Sequence, residues 1–394
     1  MKQKDMAIKE ANRLAAVGEY YFSKKLKEII KLENSGIGVI NLGIGNPDLP
    51  PSQNTTNALV KSANNPANHG YQSYKSSPAL RNAIAEYYRK TYKVALDPET
   101  EVLPLIGSKE GIMHISMAFL NPGDEVLVPN PGYPSYTSAS KILGAVVKYY
   151  DLKEENDWQI NIAELKSKDL SKVKIMWINY PHMPTGAIAS NGLFKELIIL
   201  AEEKNFLLCN DNPYSLILND NPKSLLFEDD AKEVSLELNS LSKSHNMAGW
   251  RLGWVSGNKH NVHSVLKVKS HIDSGIFLPV QHAAIEALKN QDKWHEERNN
   301  VLHKRREKVF ELLNLLCCTY DENQVGMFVW AKVDTEITNG AELANKILYE
   351  ANVFITPGFI FGSNGERYVR VSLCNKVGNI EEAIKRIQNI EKNG

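Results

Sequence analysis

Residues 239–254 read NSLSKSHNMAGWRLGW. Lys243 stands between Ser242 and Ser244, Ser240 precedes it, and Arg251 follows eight residues on. A lone lysine is ordinarily a solvated surface group. This one lies in a turn between two strand-like runs, SLELNS (235–240) and GWVSG (253–257). Its meaning therefore depends on which other segments the fold brings to the same turn.

Working outward, short apolar runs alternate with helical patterns from about residue 75 to 260. The other runs are EVLPLIG (101–107), EVLVPN (125–130), AVVKYYD (145–151), KIMWINY (174–180) and FLLCND (206–211). Helical stretches such as 109–120 and 192–205 fall between them. This alternation predicts an α/β fold with a mostly parallel central sheet wrapped by helices. Residues 6–33 read as a helix, and VINLGIGNPDLPPS (39–52) breaks regular structure with glycine and proline. A long helical region spans 279–316. Two strands (327–333 and 367–373) and two helical patterns then form a smaller α+β domain. The expected division is 1–50, joining the small domain; 51–285, the large domain; and 286–394, the connecting helix and small domain. A chain of 394 residues suits one large and one smaller unit.

Lys plus Arg and Asp plus Glu number 46 each, so no global field favours nucleic acid or an anionic membrane. The four cysteines (209, 317, 318, 374) lack metal-ligand spacing and read as buried free thiols in a reducing compartment. The N-terminal segment mixes charges and has no secretory apolar core. No apolar run reaches a membrane span. The expectation is a soluble cytoplasmic protein.

Ligands of open parallel sheets bind beyond the carboxyl ends of the strands. Five loops converge there: GSKEG (107–111), NPGYPSY (130–136), YPHMPTG (180–186), DNPY (211–214) and SLSK (240–243). Together they offer what pyridoxal phosphate requires. Lys243 can bond the aldehyde. Asp211 can keep the ring nitrogen protonated, which makes the ring an electron sink. Tyr214, three residues on, can reach the ring oxygen. Ser108 and Lys109 open a helix after Gly107, so their N–H groups can face a phosphate beside Ser240, Ser242 and Arg251. Tyr133 offers a flat stacking platform.

These residues resemble the class I/II aminotransferases, the fold-type I pyridoxal phosphate enzymes, and the branch containing LL-diaminopimelate aminotransferases above all. The likeness runs through INLGIGNPD, GYQSYKSSPALR, GSKEG, PNPGYPSY, YPHMPTG, DNPY, SLSKSHNMAGWRLG, KSHIDSG and RYVRVSL, in the family's order. It implies amino transfer between an L-amino acid and a 2-oxo acid in a homodimer with shared sites. It also implies that Tyr71 reaches the neighbouring subunit's phosphate and that Arg370 binds the substrate α-carboxylate by a two-pronged bond. Gly45 would meet the same carboxylate through its backbone; Tyr21 and Ser274 match positions at the substrate and phosphate edges. Two positions depart from the pattern. Met183 stands where relatives carry an asparagine that donates to the ring oxygen, and Ser76 stands where they usually carry glycine. Carbon–sulfur β-lyase or synthase chemistry on the same site, and a non-catalytic cofactor-binding module, are the competing readings. Trp250 and Trp254 read as core, and His182 and His245 receive no role.

Overall fold

A computed structural model of the chain describes residues 8–19, 21–337 and 339–393, with the backbone alone for 391–393. The strands are β1 (Ile40–Asn41), β2 (Val102–Leu105), β3 (Glu125–Asn130), β4 (Val146–Asp151), β5 (Val173–Ile178), β6 (Leu207–Asp211), β7 (Ser235–Ser240), β8 (Gly253–Gly257), β9 (Thr319–Tyr320), β10 (Phe328–Lys332), β11 (Val353–Phe354), β12 (Thr356–Pro357) and β13 (Tyr368–Ser372). Seven of them form one sheet in the order β2-β8-β7-β6-β5-β3-β4. All its members are parallel except β8, which runs antiparallel to both β2 and β7. All seven runs read as strands are strands of this sheet.

Apart from the edge strand β4, which is largely exposed, the sheet is covered on both faces, which explains its near-continuous apolar strands. Alternate residues of β5 enter different cores. Met176 and Ile178 join the cluster with Leu193 and Leu197 of the helix Leu193–Lys204. Ile175 and Trp177 join the other, with Ile112 and Ile115 of the helix Ser108–Phe119. Each such side chain, fully buried, contributes about 1.5–3 kcal/mol.

The smaller sheet is antiparallel in the order β12-β13-β10-β9. β1 pairs in parallel with β11, Ile40 opposite Val353, and so fastens the N-terminal segment beside the smaller sheet. The bidentate pair of Arg305 with Asp48, at 2.6 and 2.8 Å, fastens the next turn to the long helix Asp292–Leu315.

Three elements differ from expectation. The helix expected over 6–33 begins only at Tyr21, after a short 3-10 turn (Asn12–Ala16) and Gly18; residues 6, 7 and 20 lie outside the described set. The helical region 279–316 is two helices, Leu278–Ala287 and Asp292–Leu315. They part at Gln291, whose extended backbone (φ −75°, ψ 160°) interrupts the helical hydrogen bonds. Of the cysteines, Cys209 and Cys318 are buried and Cys374 is partly so, but Cys317 is exposed in a left-handed turn at φ 53°. No helix among the described residues is long and apolar enough to cross a membrane.

Candidate active site

The carboxyl ends of β5, β6 and β7 and the N-terminus of the helix Ser108–Phe119 open on one cleft, closed from the other side by β10, β13 and residues 44–45. Ser108, Lys109, Tyr133, Asp211, Tyr214, Ser240, Ser242, Lys243, Arg251, Arg370 and Gly45 all line it. Residues more than 300 positions apart are thus brought together.

Lys243 lies on a single helical turn, Leu241–Ser244, directly after β7. Its Nζ donates to the Gly45 carbonyl at 2.6 Å. Burial, chiefly, lowers its pKa; Arg370 and Arg251 push the same way and Cys374 opposes them. A neutral amine that can act as nucleophile and base is thereby favoured.

Asp211 ends β6 and is buried. Its Oδ2 accepts from Tyr136 at 3.0 Å, whereas Oδ1 is buried without a hydrogen-bond partner. Burial pushes this carboxyl up to about 7, against the Tyr136 hydrogen bond and with help from Glu237. A buried carboxylate oxygen without a donor is costly unless a cation or N–H arrives. A protonated ring nitrogen is such a group.

The phosphate end is a cradle with a defined shape. Gly107 precedes the helix Ser108–Phe119 at φ 89° with no side-chain cap, which leaves first-turn N–H groups for an anion. A Cβ on Gly107 would fall 2.2 Å from Arg251 Nη2. Only glycine therefore lets the guanidinium approach this helix end. Ser240 Oγ donates to Ser242 Oγ at 2.9 Å, and Arg251 Nη1 reaches Ser242 Oγ at 3.4 Å and the Ala248 carbonyl at 2.9 Å. The residues present fit pyridoxal phosphate: an acid with one unpartnered oxygen at one end, an anion cradle at the other, and a partly buried lysine between.

Arg370, on β13, is 4% exposed. Its Nη2 donates to the Gly43 carbonyl at 3.0 Å and its Nη1 to the Met183 sulfur at 3.2 Å. Its guanidinium carbon lies 3.8 Å from the Phe328 ring centre and 4.7 Å from that of Phe361. These aromatic faces hold a cation in a dry site.

Some positions fall elsewhere. Tyr21 is outside the cleft lining; its ring packs edge-on against Phe22 and Phe359, at 5.9 and 5.5 Å, and Phe22 is the residue that lines the cleft. Tyr71 is 93% exposed and Ser274 is exposed, neither in this chain's cleft. Ser76 takes the left-handed conformation, φ 61°, which is natural for glycine and strained for serine by about 1–2 kcal/mol. His182 and His245 are buried off the cleft lining, and Trp254 is core.

Reasoning from sequence missed Tyr136, Asn179 and Phe328. Tyr136 had a signal, since it sits three residues after Tyr133 in PGYPSY. Asn179 had none: it accepts from Met183 N at 2.8 Å within its own loop and donates to the Asp211 carbonyl at the end of another strand.

This fold with a lysine, a buried acid and a phosphate cradle at the strand ends defines a fold-type I pyridoxal phosphate enzyme. Residues 37–387 match the family "Aminotransferase class I and II". The LL-diaminopimelate aminotransferases of Oleidesulfovibrio alaskensis and Dehalococcoides mccartyi are each 40% identical to this chain. The first match covers 96% of this chain and 98% of that protein, the second 98% and 99%. Substrate-bound BacF from Bacillus subtilis superposes with a TM-score of 0.93 at 34% identity, covering 97% of this chain and 98% of that one. The alanine aminotransferase of Pyrococcus furiosus gives 0.90 at 28%, covering 98% and 100%. The chain belongs to the class I/II aminotransferases, in the LL-diaminopimelate aminotransferase branch, and is a pyridoxal-phosphate-dependent enzyme that transfers amino groups.

Proposed function

We propose that Lys243, Asp211 and Arg370 carry amino transfer from an L-amino acid to a 2-oxo acid. The observation that supports this most is Lys243 Nζ, on a partly buried side chain and 2.6 Å from the Gly45 carbonyl, in the cleft that also holds the unpartnered Asp211 oxygen. The cofactor, when bound, supplies an aldehyde that takes up the amino group and a ring that withdraws electrons from the substrate's α-carbon. Arg370, with the Gly45 backbone, holds the α-carboxylate and fixes which bond faces Lys243. Lys243 Nζ then takes the α-proton and returns it one position away, as base and then as acid. Asp211 keeps a proton on the nitrogen it faces. Ser108, Lys109, Ser240, Ser242 and Arg251 would anchor the cofactor's phosphate, Tyr133 would offer the ring a stacking face and Tyr214 would supply a hydroxyl donor.

The working form in this proposal is a homodimer. Tyr71 is 93% exposed on its own chain, so a second copy would bring it to the neighbour's phosphate. Residues 1–50 and 286–394 are read as belonging with the smaller sheet and 51–285 with the larger. The free thiols suit a reducing cytoplasm.

LL-diaminopimelate is the donor to test first, since relatives carry that name. A panel of L-amino acids with 2-oxoglutarate should give steady 2-oxo acid release for at least one donor. With donor alone, release should stop at one equivalent per site. Continued release of ammonia or thiol would replace transfer with elimination.

Met183 gives this site its own character. Its sulfur accepts from Arg370, and a thioether donates nothing to the ring oxygen. One amide N–H of Asn179 is committed to the Asp211 carbonyl. With methionine in place of the asparagine, the ring oxygen keeps Tyr214 but lacks one hydrogen bond, so the lysine-bound cofactor should hold its proton to higher pH. Met183→Asn should lower the midpoint of its absorbance titration by about one pH unit, the worth of one hydrogen bond to a charged oxygen. An unmoved midpoint refutes this.

A further inference from the structure

We infer that Glu110, His114 and Asp273 form a binding site for a divalent transition-metal ion of the zinc type. None of the three lines the cleft. Glu110 and His114 sit one turn apart on the helix Ser108–Phe119, so they share a face. Asp273 comes from the loop that follows the helix Lys259–Lys269, which packs on the first. One ligand atom from each residue lies within 4.8 Å of the other two. Glu110 Oε1 and His114 Nε2 are 3.5 Å apart. That matches the edge, about 3.4 Å, of a tetrahedron with metal–ligand bonds of about 2.1 Å.

The hydrogen bonds leave a particular set of atoms bare. Each carboxylate is anchored through one oxygen. Glu110 Oε2 accepts from Ile106 N at 2.8 Å. Asp273 Oδ1 accepts from Lys269 Nζ at 2.7 Å and from Gly275 N at 2.8 Å. Asp273 Oδ2 is buried and has no hydrogen-bond partner. His114 is 1% exposed, and neither ring nitrogen has a hydrogen-bond partner. A buried polar group left without a partner is costly. An ion here would satisfy one imidazole nitrogen and the bare carboxylate oxygen together. Anchoring one oxygen while presenting the other is how outer contacts orient metal ligands. Lys269 pairs with Asp273 and no ion pair links it to Glu110 among the described residues, so two carboxylates set against one ammonium leave the pocket negative charge for a cation. One imidazole with two carboxylates suits zinc or cobalt better than magnesium, which prefers oxygen ligands alone.

Occupancy would tie two parts of the protein together. The helix that carries Glu110 opens on the cleft through Ser108 and Lys109. The loop that carries Asp273 continues to Gly275, where a Cβ would fall 2.6 Å from the Gln72 carbonyl, next to Tyr71.

The test uses the holoenzyme, dialysed against chelator and then titrated with Co2+. One equivalent should bind with the visible bands of four-coordinate cobalt, and Zn2+ should displace it. His114→Gln should abolish the bands and weaken binding at least about tenfold. Glu110→Gln can still accept from Ile106 N, so it should weaken binding likewise even if the His114 variant does not fold. The wild-type titration also decides independently of both. No binding by wild type would overturn the site. Binding unchanged in either folded variant would assign the ion to other histidines and overturn it too.

Discussion

Lys243→Ala should lose the absorbance of a cofactor joined covalently to lysine, together with more than about 10⁴-fold of turnover. The size follows from the lysine's several tasks. A positioned base alone contributes about 10²–10⁴-fold, and the same amine also holds the cofactor before substrate arrives. Among the described residues the cleft holds one further lysine, Lys109, which lies in the first turn of the helix Ser108–Phe119. Fold loss is not expected. The lowered pKa shows that a charged Lys243 is disfavoured where it lies, and alanine removes that group without leaving a buried charge. Far-UV circular dichroism should match wild type while the cofactor spectrum becomes that of a non-covalent complex. A variant that keeps full turnover would remove Lys243 from the mechanism.

The second large effect is at Asp211. Asp211→Asn keeps the shape and can keep the Tyr136 contact, but a neutral amide cannot hold a proton on the ring nitrogen. Removing one member of a buried ion pair costs about 3–5 kcal/mol, so kcat should fall about 10³-fold. A pH experiment on the cofactor-free protein separates this from misfolding. The folded-state pKa of Asp211, about 7, is raised above its ordinary 3.8. Its contribution to stability is therefore complete below pH ~4 and is lost as pH rises through ~7. Cofactor-free wild type should lose thermal stability across that window, and the asparagine variant should lose less. With cofactor bound, its cationic nitrogen offsets burial and the difference should shrink. Equal pH profiles for the two cofactor-free proteins would show that Oδ1 is not held in the apolar site described.

Much of this was legible in the chain. All seven strands of the main sheet were marked by apolar runs; six of them need such residues because they are covered on both faces, whereas the edge strand β4 is largely exposed. The loops after the parallel strands could be assigned to one edge, since parallel topology sends their carboxyl ends the same way. That is why Ser108, Asp211, Tyr214, Lys243 and Arg251 could be grouped. The break at Gln291 could not be read: the sequence around it carries no proline or glycine, and the interruption is backbone conformation alone. Tyr21 and Phe22 were equally indistinct, because adjacent aromatic residues on one helix differ only in which way each faces.

The sequence by itself determined the α/β order, the lysine with its serines and arginine, and the thioether at position 183, since these depend on residue type and spacing along the chain. Only the tertiary structure decided that Tyr136 and Asn179 frame Asp211, that Met183 receives a hydrogen bond from Arg370 and that Glu110, His114 and Asp273 meet. Each of those depends on a distance between segments far apart in the chain. Such distances are set by how helices and strands pack against one another, and local spacing does not encode them.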